Sequence, residues 1–175
     1  MAEKLQPFDP FFYEEPVLHD NVDAMANIAQ SIRIPVATGE RLYTRWDYRP
    51  LLEKQAARII QPDICHAGGI MELKKIAAMA EAYYVGVAPH NPNGPIGTAA
   101  TLQLDACIPN FIIQEFVPGE MPLFAQLITE PLEMKDGHLL IPDRPGLGMD
   151  IVEEAIAQRP PKESRFGNTT PWPYY

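Results

Sequence analysis

The sequence predicts an α/β fold built on a parallel sheet, and three observations predict it. Short apolar runs recur along the chain, and most are followed by a stretch with helical spacing. The runs are continuous rather than alternating, as in parallel strands that helices and core cover on both faces. They also end abruptly at a carboxylate or an imidazole: Phe11-Phe12-Tyr13-Glu14-Glu15, Val36-Ala37-Thr38-Gly39-Glu40, Ile59-Ile60-Gln61-Pro62-Asp63, Val85-Gly86-Val87-Ala88-Pro89-His90 and Phe111-Ile112-Ile113-Gln114-Glu115. Chemistry-bearing residues at the carboxyl ends of successive strands are how a β/α barrel builds its active site.

Residues 1–10 form a polar lead-in broken at Pro7 and Pro10. The first strand is expected at Phe11–Glu15. Asp20 or Asn21 can cap the helix after it, where Val22, Met25, Ala26, Ala29 and Ile32 keep the three-four spacing of one apolar face. Pro35 opens a second strand, Val36–Glu40. Asp47 can cap a second helix, with Leu51, Leu52 and Gln55-Ala56 on its inner side. The third strand is Ile59–Pro62. Gly68-Gly69 turns the chain into a third helix, Met71–Tyr83, with Leu73, Ile76, Ala77 and Ala80 inward. Val85–Pro89 is a fourth strand, Asn91-Pro92-Asn93-Gly94-Pro95 a tight loop, and Ile96–Ala106 a small-residue helix. The fifth strand is Phe111–Gln114.

After Glu115 the rhythm stops. Asp136-Gly137 reads as a hairpin turn before Leu139-Leu140-Ile141. Pro145-Gly146-Leu147-Gly148 is another turn, and Ile151–Gln158 a short helix. From Arg159 on, the Pro- and aromatic-rich tail lacks periodicity and is expected to lie as extended chain on a neighbour or to be partly mobile. Residues 1–118 therefore read as the β/α unit and 119–175 as a separate carboxyl-terminal segment. Strand–helix alternation means a parallel sheet with crossover helices. A closed barrel uses eight strands and about 250 residues, more than this chain supplies. Either the sheet is open and doubly wound, or the chain is part of a barrel.

The bulk numbers bound the function. At 175 residues, 46% hydrophobic and 21% charged, the chain can bury the core of one ordinary domain. Its net charge of −9, without a run of Lys or Arg, argues against nucleic acid or an anionic membrane as partner. No segment reaches the roughly 18 apolar residues of a membrane helix, and Met1-Ala2-Glu3-Lys4 does not open a signal peptide. A cytoplasmic protein is expected, with Cys65 and Cys107 as reduced, buried thiols.

Glu14 and Glu40 carry the hard oxygens that Mg²⁺ prefers, although carboxylates at strand ends also serve in ordinary salt bridges. Asp63 and His90 can form a dyad in which the carboxylate fixes the imidazole for acid/base work; the alternative is a structural histidine. Glu115 either hydrogen-bonds a bound oxygen or pairs with a basic side chain.

Read in order, Tyr13-Glu14-Glu15-Pro16, Ala37-Thr38-Gly39-Glu40-Arg41, Gln61-Pro62-Asp63 with His66-Ala67-Gly68-Gly69-Ile70, and Ala88-Pro89-His90 resemble the second half of an enolase-superfamily barrel. The similarity is closest to the mandelate-racemase-like acid-sugar dehydratases, and among them to galactonate dehydratases. It spans roughly residues 8–150. The resemblance implies a carboxyl-terminal portion of a TIM-type barrel. It makes Glu14 and Glu40 two of three Mg²⁺ ligands, Asp63 and His90 an Asp–His dyad, and Glu115 the acid that stabilises an enolate oxygen. Tyr43, Arg45 and Trp46 would lie near the sugar end of the substrate. The implied reaction is Mg²⁺-dependent dehydration of an aldonate to a 2-keto-3-deoxy acid.

The family's first metal ligand, a further acid/base group and the capping domain have no match here. A second copy or a companion chain completing the barrel is therefore expected. Two other readings stand beside the dehydratase, a racemase or epimerase using the same half-site and a catalytically silent, truncated copy. The loop Asn91-Pro92-Asn93-Gly94-Pro95 departs from the His-Cys-Pro-Leu-Gly-Pro form of galactonate dehydratases, which leaves the identity of the sugar acid open.

Overall fold

The computed structural model describes residues 1–159, so the tail lies outside the described residues from 160 on. Four parallel strands form one sheet in the order β1 (Tyr13–Glu14), β2 (Val36–Thr38), β3 (Ile59–Ile60) and β4 (Gly86–Val87). Their register runs Tyr13 with Val36, Ala37 with Ile59 and Ile59 with Gly86. Spatial order follows chain order. A doubly wound sheet reverses its order at a switch point; this one never does, so it is an arc of a β/α barrel.

Alternation explains why both faces of the strands are apolar. Val36, Ile60 and Val87 point into the main core beneath the helices, joined there by Met25, Leu52, Leu73 and Ile76. Their neighbours Ala37, Ile59 and Ala88 face the other way and cluster with Phe12 on the concave side. Successive strand residues point to opposite faces, so a strand buried on both reads as one unbroken run.

The helices are α1 (Ala2–Leu5), α2 (Val22–Ser31), α3 (Arg45–Glu53), α4 (Gly69–Ala82) and α5 (Pro95–Asp105), then α6 (Met121–Phe124) and α7 (Glu153–Ala157). Asn21 caps α2 by accepting from the Ala24 N–H at 3.0 Å. In α4 the inward residues Leu73, Ile76, Ala77 and Ala80 are all buried, as their spacing predicts.

Several expectations are corrected. The strands are shorter than their apolar runs, because only the residues in the ladder pair before the chain turns outward. The cap of α3 is Thr44, with Asp47 three positions on completing a capping box by accepting from the Thr44 N–H at 2.9 Å. Gln55 lies beyond that helix at φ +51° and is exposed, while Ala56 is buried. The lead-in holds α1 and a 3₁₀ turn, Gln6–Phe8. Both cysteines are free, as expected, but exposed rather than buried, since each lies in the turn following a packed element.

The fifth strand is reduced to a parallel bridge between Phe111 and Val87. Among the described residues it has a neighbour on one side only, through Val87 N–H to Asn110 O (2.8 Å), Ile112 N–H to Val87 O (2.9 Å) and Glu115 N–H to Pro89 O (3.2 Å). Beyond it, the hairpin β5 (Met134–Lys135) and β6 (His138–Leu139) turns at Asp136-Gly137 with φ of +51° and +77°, as the sequence predicts. Phe124, Ile128 and Leu132 pack with Leu102 of α5 in a second, smaller cluster.

A cleft of about 800 Å³ opens between the Phe111–Gln114 edge and this hairpin. Asp105 lines it, and neither of its carboxylate oxygens has a hydrogen-bond partner among the described residues. Burial pushes this carboxyl up to about 7. A group whose pKa is raised by folding holds extra protons in the native state, so its contribution to stability falls as pH rises from about 4 to 7. Asp105→Asn is expected to raise stability at pH 8 by about 2 kcal/mol and to leave it nearly unchanged at pH 4. Urea unfolding midpoints at the two pH values test this, and an equal effect at both would overturn it.

Candidate active site at the carboxyl ends of the strands

Each strand delivers its chemistry at or just past its last paired residue. Glu14 ends β1. Glu40 follows β2 through Gly39, whose φ of +147° and close surroundings exclude a side chain: a Cβ there would lie 2.8 Å from the Gln61 backbone nitrogen and 3.1 Å from the Tyr48 hydroxyl. Tyr48, fully buried, donates its hydroxyl to Gly39 O at 2.7 Å and so ties α3 to the turn that aims Glu40.

Asp63 is the centre of the arrangement and is fully buried. Its Oδ1 accepts the Cys65 N–H at 2.7 Å, and the Asn93 side-chain amide donates to Oδ1 and Oδ2 at 3.0 Å each. Its Oδ2 lies 2.8 Å from His90 Nδ1. An ionised, buried carboxylate can only accept, which assigns the proton on this side of the ring to Nδ1. The other nitrogen, Nε2, lies 3.2 Å from Glu40 Oε2 and 3.9 Å from Glu115 Oε2. Glu115 is held in turn by the Asn91 N–H, which donates to its Oε2 at 2.9 Å. Asn91 is itself buried and donates through Nδ2 to Thr98 Oγ1 and to Glu115 O.

Glu14 joins the cluster electrostatically. Burial raises its carboxyl above the ordinary value, the neighbouring Gln61 amide draws it the other way, and the charges of Glu40, Glu115 and Glu15 raise it further. Arg41 is the one cation among the described residues that pairs here, reaching Glu15 Oε2 and Glu40 Oε1 at 3.4 Å. Four carboxylates with so little compensation suit a bound cation. Among the described residues, no group of three His, Cys, Asp or Glu side chains could hold a metal ion by itself. Glu14 and Glu40 offer hard oxygen donors for part of a Mg²⁺ shell, which ordinarily keeps waters and substrate oxygens as well.

The structure thus brings Glu40, Asp63, His90 and Glu115 into one contact network, with Glu14 beside it. Tyr43 stands at the mouth, its ring edge-on to His66 at 6.3 Å, and His66 lies 6.5 Å from His90. Arg45 is engaged elsewhere, donating to both oxygens of Glu72 in α4 at 2.8 and 3.1 Å and lying over the exposed Trp46 ring at 5.2 Å. No hydrogen bond or ion pair among the described residues joins Arg45 or Trp46 to the His90 network. Sequence reasoning did not single out Asn91, Asn93, Gln61 or His66, although each lies inside a stretch it quoted.

Comparison with known proteins places this geometry. The family described as enolase C-terminal domain-like matches residues 1–155. The chain is 41% identical to a D-galactonate dehydratase of Pectobacterium atrosepticum over 165 residues, covering 91% of this chain and 43% of that protein. It is 38% identical to a D-xylonate dehydratase of Haloferax volcanii over 156 residues, covering 89% and 38%. A crystal structure of a mandelate racemase/muconate lactonizing enzyme from Jannaschia sp. CCS1 superposes with a TM-score of 0.88 at 36% identity, over 94% of this chain and 42% of that one. The chain therefore spans about two fifths of the length of these relatives.

Gly39→Ala is expected to cost about 2 kcal/mol or more, because a Cβ meets backbone atoms at a φ that side chains rarely adopt. A chemical-denaturation midpoint unchanged from wild type would show that the β2 turn does not need glycine.

Proposed function

Because this chain belongs to the enolase C-terminal domain-like family, we propose that it forms the strand-end half of an active site that dehydrates a sugar acid, an aldonate such as galactonate, to a 2-keto-3-deoxy acid. The observation that carries the reading is His90, clasped by Asp63 at Nδ1 and facing Glu40 and Glu115 at Nε2. That placement lets Nε2 take or deliver a proton at a substrate lying over the strand ends. Dehydratases named for galactonate and xylonate among the relatives support the substrate class.

The α-proton of an aldonate is very weakly acidic, and its removal builds negative charge on the carboxylate. Glu14 and Glu40 would hold Mg²⁺ there, and the bound ion supplies Lewis-acid neutralisation of that charge. Glu115, when protonated, donates a hydrogen bond to the developing enolate oxygen. His90 either abstracts the α-proton or, already protonated, hands its Nε2 proton to the departing 3-hydroxyl, which leaves as water. The resulting enol tautomerises to the 2-keto-3-deoxy product. The chain spans about two fifths of the length of its relatives, and the remaining ligand, the further acid/base group and the remaining strands would come from sequence beyond these 175 residues, on the same or another polypeptide. Phe111 and Ile113 offer the edge for it, their backbone N–H and C=O groups having no backbone partner among the described residues.

Two measurements test this. The isolated chain, verified as a single polypeptide by native and denatured mass spectrometry, is expected to show only trace turnover of aldonates with Mg²⁺; turnover of about 1 per second or faster would overturn its dependence on a partner. In an assembly that does turn over, His90→Gln is expected to lower kcat by about a thousandfold. Retained activity, or a product epimerised at the α-carbon with no loss of water, would overturn the dehydratase reading.

A further inference from the structure

The loop after β4 holds two asparagines, and each grips a carboxylate that belongs to another strand. Asn91 holds Glu115 from the fifth strand position, and Asn93 holds Asp63 from the end of β3. The Asn93 contact is unusual for a loop residue. Its amide spans both oxygens of a carboxylate that is completely buried, and it shares Oδ2 with the imidazole of His90. A carboxylate in that position has few ways to be satisfied. The Cys65 N–H covers Oδ1, the His90 ring covers Oδ2, and Asn93 is the one side-chain amide that donates to it.

A second observation, on a different element, points to the same residue. In the first turn of α5, a Cβ built on Gly97 would lie 2.8 Å from the Asn93 Cβ and 2.9 Å from the Cys65 Sγ. Gly97 has no conformational need to be glycine, since no left-handed φ is recorded for it. What its missing side chain provides is space, and that space is taken up by two of the three residues that donate to Asp63, Cys65 and Asn93.

We propose that Asn93, seated against Gly97, is a positioning residue that fixes the Asp63 carboxylate and through it holds the His90 ring with its proton on Nδ1 and Nε2 facing Glu40 and Glu115. Asn93 acts through Asp63 and has no contact with the atoms that face Glu40 and Glu115. Without its amide, Asp63 keeps among the described residues one backbone donor besides the imidazole, with the His66 ring more distant at 3.9 Å. The carboxylate is then free to rotate within its pocket, and the ring that leans on it loses a defined orientation. The inference deepens the acid/base reading of His90 and rests on that reading for its catalytic meaning, but the arrangement itself is testable without substrate.

The experiment is nitrogen-15 and proton NMR of the histidine-labelled full chain at pH 7, with no Mg²⁺ and no sugar acid. The wild-type chain is expected to show one His90 tautomer, with a slowly exchanging Nδ1 proton. Asn93→Leu, close in volume but without a donor, is expected to speed the exchange of that proton with water by about tenfold or to populate the other tautomer. Gly97→Ala keeps the amide but displaces it, and is expected to do the same. Lys74→Ala on the outer face of α4 is expected to change neither signal. Each spectrum also reports whether the variant is folded; where Asn93→Leu is not, the smaller Asn93→Ala, which likewise lacks the donor, takes its place with the same expectation. An unchanged His90 signal in a folded Asn93 variant overturns the proposal, as does a wild-type chain without the Nδ1 proton. A signal disturbed at Asn93 but unchanged by Gly97→Ala overturns the role given to the glycine. Because no turnover is read, loss of the dehydratase reading in an activity assay would leave this result standing, and the reverse holds as well.

Discussion

The burial of the Asp63 carboxylate is the constraint on which the rest of the site depends. Removing a charged group from water is costly unless donors replace the lost hydration. Here those donors come from three places in the chain: the turn directly after β3, the end of β4 and the loop that follows it. Satisfying one anion therefore locks two strand ends and a loop into a fixed relation. His90 owes its orientation to that demand, and Glu40 and Glu115 meet its far nitrogen because the neighbouring strands are held in register beside it. The same carboxylate bears on the exposed thiol two residues on, since burial and then the charge of Asp63 push the Cys65 thiol above its ordinary value. A thiol so placed is a poor nucleophile.

The sheet supplies the frame for this locking and also shows where it is incomplete. Its helices cover one face with a continuous core, while the concave face holds only Ala37, Ile59, Ala88 and part of Phe12. Such a small inner cluster is what an arc of a barrel leaves when the side chains of the opposite strands are not there to fill it. The Phe111–Gln114 edge carries the same message. Phe111, Ile112 and Ile113 are all more than a third exposed, and both polar atoms of the Gln114 amide are buried without a partner among the described residues. Edges of this kind are normally paired or covered.

How far the sequence foretold this can be traced residue by residue. The strand positions, the burial of Leu73, Ile76, Ala77 and Ala80, the cap at Asn21 and the Asp136-Gly137 turn follow from local rules of periodicity and turn chemistry, and those rules hold here. Strand lengths were less legible, because an apolar run continues into buried coil where no ladder partner remains. The strand-end carboxylates and His90 could be found because each interrupts an apolar run. Asn93 could not, since Asn-Pro-Asn-Gly has the composition of an ordinary turn and its direction is set by packing against Gly97, four residues on but on another element. Arg45 illustrates the opposite limit. The family resemblance implies a place near the sugar end of a substrate, and the fold adds a partner, Glu72 of α4, at a distance that only the tertiary structure reveals.

The electrostatics of the face lead one step further. Glu14, Glu15, Glu40 and Glu115 gather negative potential in one small region, and besides the His90 ring Arg41 is their one basic partner among the described residues, half-exposed and at 3.4 Å. Mutual repulsion of this kind destabilises a fold unless something offsets it. Sites that gather carboxylates at such a cost generally do so for a ligand that restores the balance when it arrives. A divalent cation with oxygen preference would restore it most economically, with Glu14 and Glu40 as the side chains to hold it. The repulsion among these carboxylates and the rigidity that the buried Asp63 gives to the strand ends beside them are then two aspects of one arrangement.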